Sequence, residues 1–166
     1  ECNMSYTLLP ALRINDHHAA ICVRVTRKWE YRGPTDNGPI QHIDIVLADH
    51  QANAMYAEIP QDIVEEFNSQ IEEGNIYAIS RFRTTNAKNF YKPRMIYFTV
   101  HTRIVVPKNP STTFPRHVYK LTPFDELPML VGNCRNFIGQ DQLSGNSACK
   151  WYFNPDIPEA EEFYRR

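Results

Sequence analysis

With 166 residues, 42% of them hydrophobic, the chain has material for one domain with a real core: a barrel of about 100 residues plus terminal segments. A formal net charge of −1 leaves the overall balance silent on partners. Four cysteines (Cys2, Cys22, Cys134, Cys149) form no C-x-x-C pair, which removes support for a zinc site or redox dithiol, and no apolar run nears the roughly 18 residues of a membrane span.

Tyr6 to Arg13 reads as an apolar lead-in, one helical turn that plugs a barrel end. Ile21 to Tyr31 is a long strand in which Ile21, Val23 and Val25 alternate with Cys22, Arg24 and Thr26. Two glycines, two prolines, an Asp and an Asn make Gly33 to Pro39 a loop. Gln41 to Leu47 alternates again, and a turn at Asp49 to Gln51 leads to a short strand, Ala54 to Ile59. Pro60 and Asp62 then open a helix. Ile63, Val64, Phe67 and Ile71 form its apolar stripe, and Gly74 stands where a C-terminal cap belongs. Ile76 to Phe82 is a fourth strand, Thr84 to Pro93 a polar loop, and Met95 to Val106 a fifth strand. In that last strand Ile96, Phe98, Val100 and Ile104 are expected inward. The fold class predicted is all-β with one or two short helices: a five-stranded OB-fold barrel with its helix between strands 3 and 4. Pro107 to Pro128 is a proline-spaced segment, folded back on the barrel or leading toward another domain. The remainder is too short for a second barrel and ends in a strand-like CKWYF and an acidic helix.

The charge is segregated along the chain. From Asn75 to Phe124 there is no Asp or Glu, while Arg81, Arg83, Lys88, Lys92, Arg94, Arg103, Lys108, Arg116 and Lys120 all fall there. A second basic cluster, Arg24, Arg27, Lys28 and Arg32, is broken only by Glu30. Such segregation predicts one positive face, the footprint of a polyanion partner. Rings are threaded through both tracts: Trp29, Tyr31, Phe82, Phe90 and Tyr91. Cations that follow a phosphate backbone beside rings on which bases stack suit a single strand. No Arg- and Asn-rich helix suited to a duplex major groove is present.

ICVRVTRKWEYR (Ile21 to Arg32), the IVLAD of Ile45 to Asp49, AEIPQDIVEEF (Ala57 to Phe67), the EEGNIYAIS of Glu72 to Ser80 and AKNFYKP (Ala87 to Pro93) resemble the first OB domain of plant proteins related to the large subunit of replication protein A. LPMLVGNCRNFIG (Leu127 to Gly139) and LSGNSACKWYFNPDIPEAEEFY (Leu143 to Tyr164) resemble the two ends of that family's second OB domain, without its middle. The resemblance implies an OB domain over residues 1–125. Residues 126–166 would be a linker plus a remnant strand and helix, as a splice form, decayed duplicate or engineered deletion gives. It also implies a nuclear setting. Arg32 falls where the family has a phosphate-contacting arginine; Lys88 and Phe90 fall where it has a basic residue and a base-stacking phenylalanine. Where the family has a second stacking phenylalanine, this chain reads Tyr56-Ala57-Glu58-Ile59, with Tyr56 the candidate replacement.

Asp16-His17-His18 is an exposed turn, because three adjacent residues before a strand cannot all face one ion. His42, His50, His101 and His117 lack ligand spacing. Nothing nucleophilic stands beside a base, so no catalytic residue, cofactor or metal is expected. The expectation is a single-stranded DNA binder. Arg24, Lys28, Arg32, Arg81, Arg83, Lys88 and Lys92 are on phosphates, and Trp29, Tyr56, Phe90 and Tyr91 are stacking surfaces. RNA as the ligand, or a protein partner or self-association through residues 126–166, are the alternatives.

Overall fold

The computed structural model describes residues 6–16, 18–34, 37–87, 94–108, 113–118, 161 and 165. The chain divides into two compact units, Glu1–Leu121 and Thr122–Arg166. Of the second, Glu161 is helical and pairs with Arg165 at 3.0 Å, one turn on; the expected remnant strand lies outside the described residues.

Among the described residues, seven strands build the first unit: β1 (Ala20–Tyr31), β2 (His42–Ala48), β3 (Ala54–Pro60), β4 (Ile76–Ser80), β5 (Arg83–Asn86), β6 (Arg94–Tyr97) and β7 (Arg103–Val105). They form one sheet in the order β5-β6-β3-β2-β1-β4-β7. The expected fourth strand stops short at Ser80, and the expected fifth is broken in two. Arg81 breaks the fourth: it takes a φ of 58°, unusual for a residue with a Cβ, so the chain turns between β4 and β5. A turn at residues 98–102 breaks the fifth. Thr99 N–H and Thr102 N–H bond within it (2.9 Å each), and Val100 is 61% exposed, not inward as expected. β6 runs parallel to β3 while β7 lies antiparallel on β4. One bent segment thus touches both ends of the sheet order and curls it into a half-barrel, the OB arrangement. Thr84 to Asn86, expected in a loop, are strand together with Arg83 because they pair with β6.

The interior is aliphatic, with Ile21, Val23, Val25, Ile43, Ile45, Leu47, Ile59 and Ile79 buried. Leu9 and Leu12, on either side of a 3-10 turn at Leu9–Ala11, close one end as the expected plug. The buried Asp49 carboxylate ties that plug to the β2–β3 turn, accepting from the N–H groups of Leu9, Gln51 and Asn53. Phe114, beyond β7, is buried edge-on to His50 (6.1 Å), so the described part of the proline-spaced segment touches the barrel there.

The helix is shorter than its apolar stripe suggests. After a 3-10 turn at Gln61–Ile63 comes α1 (Val64–Asn68). All four stripe residues are buried, and Phe67 meets Phe98 edge-to-face at 5.6 Å. Gly74 does not cap this helix. With φ +94° it turns the chain into β4, and its N–H donates to the Val25 carbonyl at 2.7 Å.

Candidate nucleic-acid interface

The side of the barrel that carries rings and charge is set by one extra residue. Val25 pairs with Leu47, but Arg27 pairs with Val46, so Thr26 is a bulge in β1. Its hydroxyl donates to the Val46 carbonyl (3.1 Å). Side chains alternate along a strand, so one inserted residue exchanges the two faces from there on. Uninterrupted alternation from Ile21 would send Trp29 and Tyr31 into the core and Lys28 outward. The bulge does the reverse.

Lys28 lies opposite the buried Ile45, and its ammonium donates to the Asn68 and Ile71 carbonyls (both 2.7 Å) at the end of α1. Burial pulls that ammonium below the usual lysine range, against the raising effect of Glu30 and Glu72. Lys28 is a helix-end clamp here. The other β1 cations are also engaged. Arg24 Nη1 donates to the Gly74 carbonyl. Arg27 pairs with Glu73 at 3.0 Å and lies over the Trp29 ring, 5.9 Å from its centroid. Arg32 pairs with Glu30 (2.7 Å) and donates to the Gly38 carbonyl (3.1 Å), folding its loop over itself. The hydrogen bond from Arg32, more than the burial that opposes it, holds the Glu30 carboxyl below the usual range.

On the outward face, residues paired across neighbouring strands form one transverse row: Trp29 on β1, Asp44 on β2, Glu58 on β3, Tyr97 on β6 and Arg83 on β5. Beside it stand Tyr56, whose ring is 6.5 Å from Trp29 and tilted by 47°, and a stacked Tyr31–His42 pair at 4.6 Å. The rings are half-buried, as a stacking surface requires. Arg81, Arg83 and Arg103 are exposed, with no ion pair among the described residues. Lys88, Phe90, Tyr91 and Lys92 lie outside the described residues.

The centre of the strip is acidic. Asp44 and Glu58 face each other in register and are only 5% and 4% exposed. Burial pushes the Asp44 carboxyl above its usual range; hydrogen bonds from Tyr56 and Trp29 and the nearby His42 oppose this, while Glu58 adds to it. The Tyr56 hydroxyl donates to Asp44 Oδ1, and its own burial beside that carboxylate drives its pKa far upward, so it stays a donor. His42 Nε2 lies 3.3 Å from the same oxygen. The donor atoms of His42, Asp44 and Glu58 fall within 4.8 Å of one another, the one grouping among the described residues that could hold a metal ion. Asp44 Oδ1 already serves two partners, so such an ion would have to displace them. No local spacing announced this cluster: its three members come from two strands and meet only through the β2–β3 register. The Asp16 carboxylate accepts from the His18 N–H (3.0 Å), a turn as expected.

Residues 16–128, well over half of the chain, match the family described as Domain of unknown function DUF223. The chain belongs to that family. No curated protein matches this DUF223 chain. Among solved structures it is similar to a replication protein A heterotrimer bound to ssDNA, with 23% identity, a TM-score of 0.57, and coverage of 74% of this chain and 29% of that one. The DUF223 chain therefore spans less than a third of that neighbour. DNA-binding domain A of S. cerevisiae replication protein A is matched at 19% identity and a TM-score of 0.49, over 64% of this chain and 97% of that one. A hypothetical protein of Arabidopsis thaliana is matched at 12% and 0.49, over 72% and 89%. The likeness to the heterotrimer, together with the curled sheet, shows the DUF223 chain to be an OB fold.

Proposed function

We propose that the DUF223 barrel binds single-stranded DNA across the outward strip. The observation that carries this is the transverse row. Half-buried rings at Trp29 and Tyr97 stand in register on one curved sheet face, Tyr56 and the Tyr31–His42 stack lie beside them, and Arg83 is exposed at one end. Bases stack on such rings while phosphates run along the cationic margin. The replication protein A heterotrimer with the same fold is bound to ssDNA, which supports the same use of the face here. In this reading Arg81 and Arg83 contact phosphate, while Arg24, Lys28 and Arg32 shape the groove through the bonds already described. Lys88, Phe90, Tyr91 and Lys92 complete it from the β5–β6 connection. The resemblance to plant replication protein A large subunits supports a nuclear role in replication, repair or recombination.

Trp29 is its own reporter once Trp151 is replaced by Phe. Single-stranded DNA should quench Trp29 emission saturably, and a duplex of the same sequence should not. Binding detected by another probe with unchanged Trp29 emission would place the strand elsewhere.

A further inference from the structure

We infer that Asp44 and Glu58 make the strip selective for bases that carry an exocyclic amine, so that it takes cytosine-type bases in preference to thymine. The inference rests on the single-strand function proposed above and names what that site prefers. A face built only to hold a polyanion has no use for two carboxylates in its middle, where they repel phosphate. Yet these two sit there in register, between Trp29 on one side and Tyr97 on the other, with Tyr56 beside them. They occupy the middle of the row, and the exposed Arg83 lies at its end. A strand that binds must therefore keep its phosphates toward Arg83 and turn its bases toward the carboxylates.

An ionised carboxylate only accepts hydrogen bonds. Cytosine N4 and adenine N6 donate, and Asp and Glu are suited to accept from cytosine N4. Thymine offers one donor there, N3–H, flanked on both sides by the acceptors O4 and O2 that repel a carboxylate, whereas an exocyclic amine presents two hydrogens to the two carboxylates. The Tyr56 hydroxyl and the His42 ring both engage Asp44 Oδ1 and fix the carboxylate's orientation, and each carboxylate oxygen has lone pairs beyond a single partner. Stacking alone is nearly indifferent to base identity. A preference between two pyrimidines of the same shape must then come from their edges.

The cleanest comparison uses oligo(5-methyl-dC) and oligo-dT of 20 nucleotides, because the two bases share ring and methyl group and differ at the edge that carries N4 or O4. Competition anisotropy at pH 7.5 should show the wild-type protein binding the amine-bearing strand about tenfold more tightly, within the range of discrimination one good base-edge pair supplies. In Asp44→Asn/Glu58→Gln the ratio should fall below about twofold. Equal or tighter binding of oligo-dT by the wild type overturns the inference and leaves strand binding standing, whether or not the variant folds. A tenfold ratio that persists in a folded variant also overturns it. If neither strand binds, the single-strand function falls first and the inference with it.

Discussion

Arg32 and Arg83 look alike in the sequence, two arginines beside aromatic residues, but their surroundings separate them. The Arg32 guanidinium is held by Glu30 and the Gly38 carbonyl, whereas Arg83 is exposed at the end of the row. Each phosphate contact on a single strand contributes about 0.7 to the slope of log affinity against log salt. Arg83→Ala should therefore lower that slope by about 0.7, measured by titration at several salt concentrations, and Arg32→Ala should barely change it. Asp44 makes a second residue-level expectation. Its carboxyl is raised in the fold, so the protein favours the protonated form. The stability this provides is present below the unfolded value of about 3.9 and is lost as pH rises through the higher folded value. Asp44→Asn keeps an acceptor for Tyr56 and removes the charge. Its stability relative to wild type should improve between pH 4 and pH 7.5 in urea unfolding, and a constant difference would show that Asp44 is not strained by burial.

At the scale of elements, the bulge at Thr26 decides which half of β1 faces which way, and it explains what could be read in advance. Strand positions, the plug at Leu9 and Leu12, and the buried stripe Ile63, Val64, Phe67 and Ile71 were legible, because apolar periodicity survives small irregularities. The faces of Lys28 and Trp29 were not, because counting alternate residues from Ile21 fails once one residue is inserted. Nor were the breaks at Arg81 and at residues 98–102, where a positive φ and a threonine-bonded turn leave no apolar signature. The Asp44–Glu58 pairing depends on register between two strands, which composition does not encode. Lys28 tests this account of β1. Lys28→Ala leaves the Asn68 and Ile71 carbonyls without their donor, and should lower stability by about 1–3 kcal/mol in denaturant unfolding. Affinity of the folded variant for single strands should stay within about twofold of wild type, since the ammonium points away from the strip.

At the scale of the whole molecule, a net charge of −1 conceals a division of labour. Glu73 in the turn after α1 and Glu30 on β1 pair with Arg27 and Arg32, so the cations left exposed concentrate in the acid-free stretch after Asn75. The barrel thus presents rings and buried carboxylates on its outward face and the exposed Arg83 at one end of their row. Under the proposed function, a single strand would use both parts, bases on the rings and phosphate on the arginine. The most direct test is fluorescence anisotropy of a labelled mixed-sequence 30-mer, single-stranded and duplex, at low and physiological salt. Wild-type protein should bind the single strand saturably, more weakly as salt rises, and tighter than the duplex. Trp29→Ala/Arg83→Ala should lose at least about tenfold. No binding of the single strand even at low salt would contradict the account.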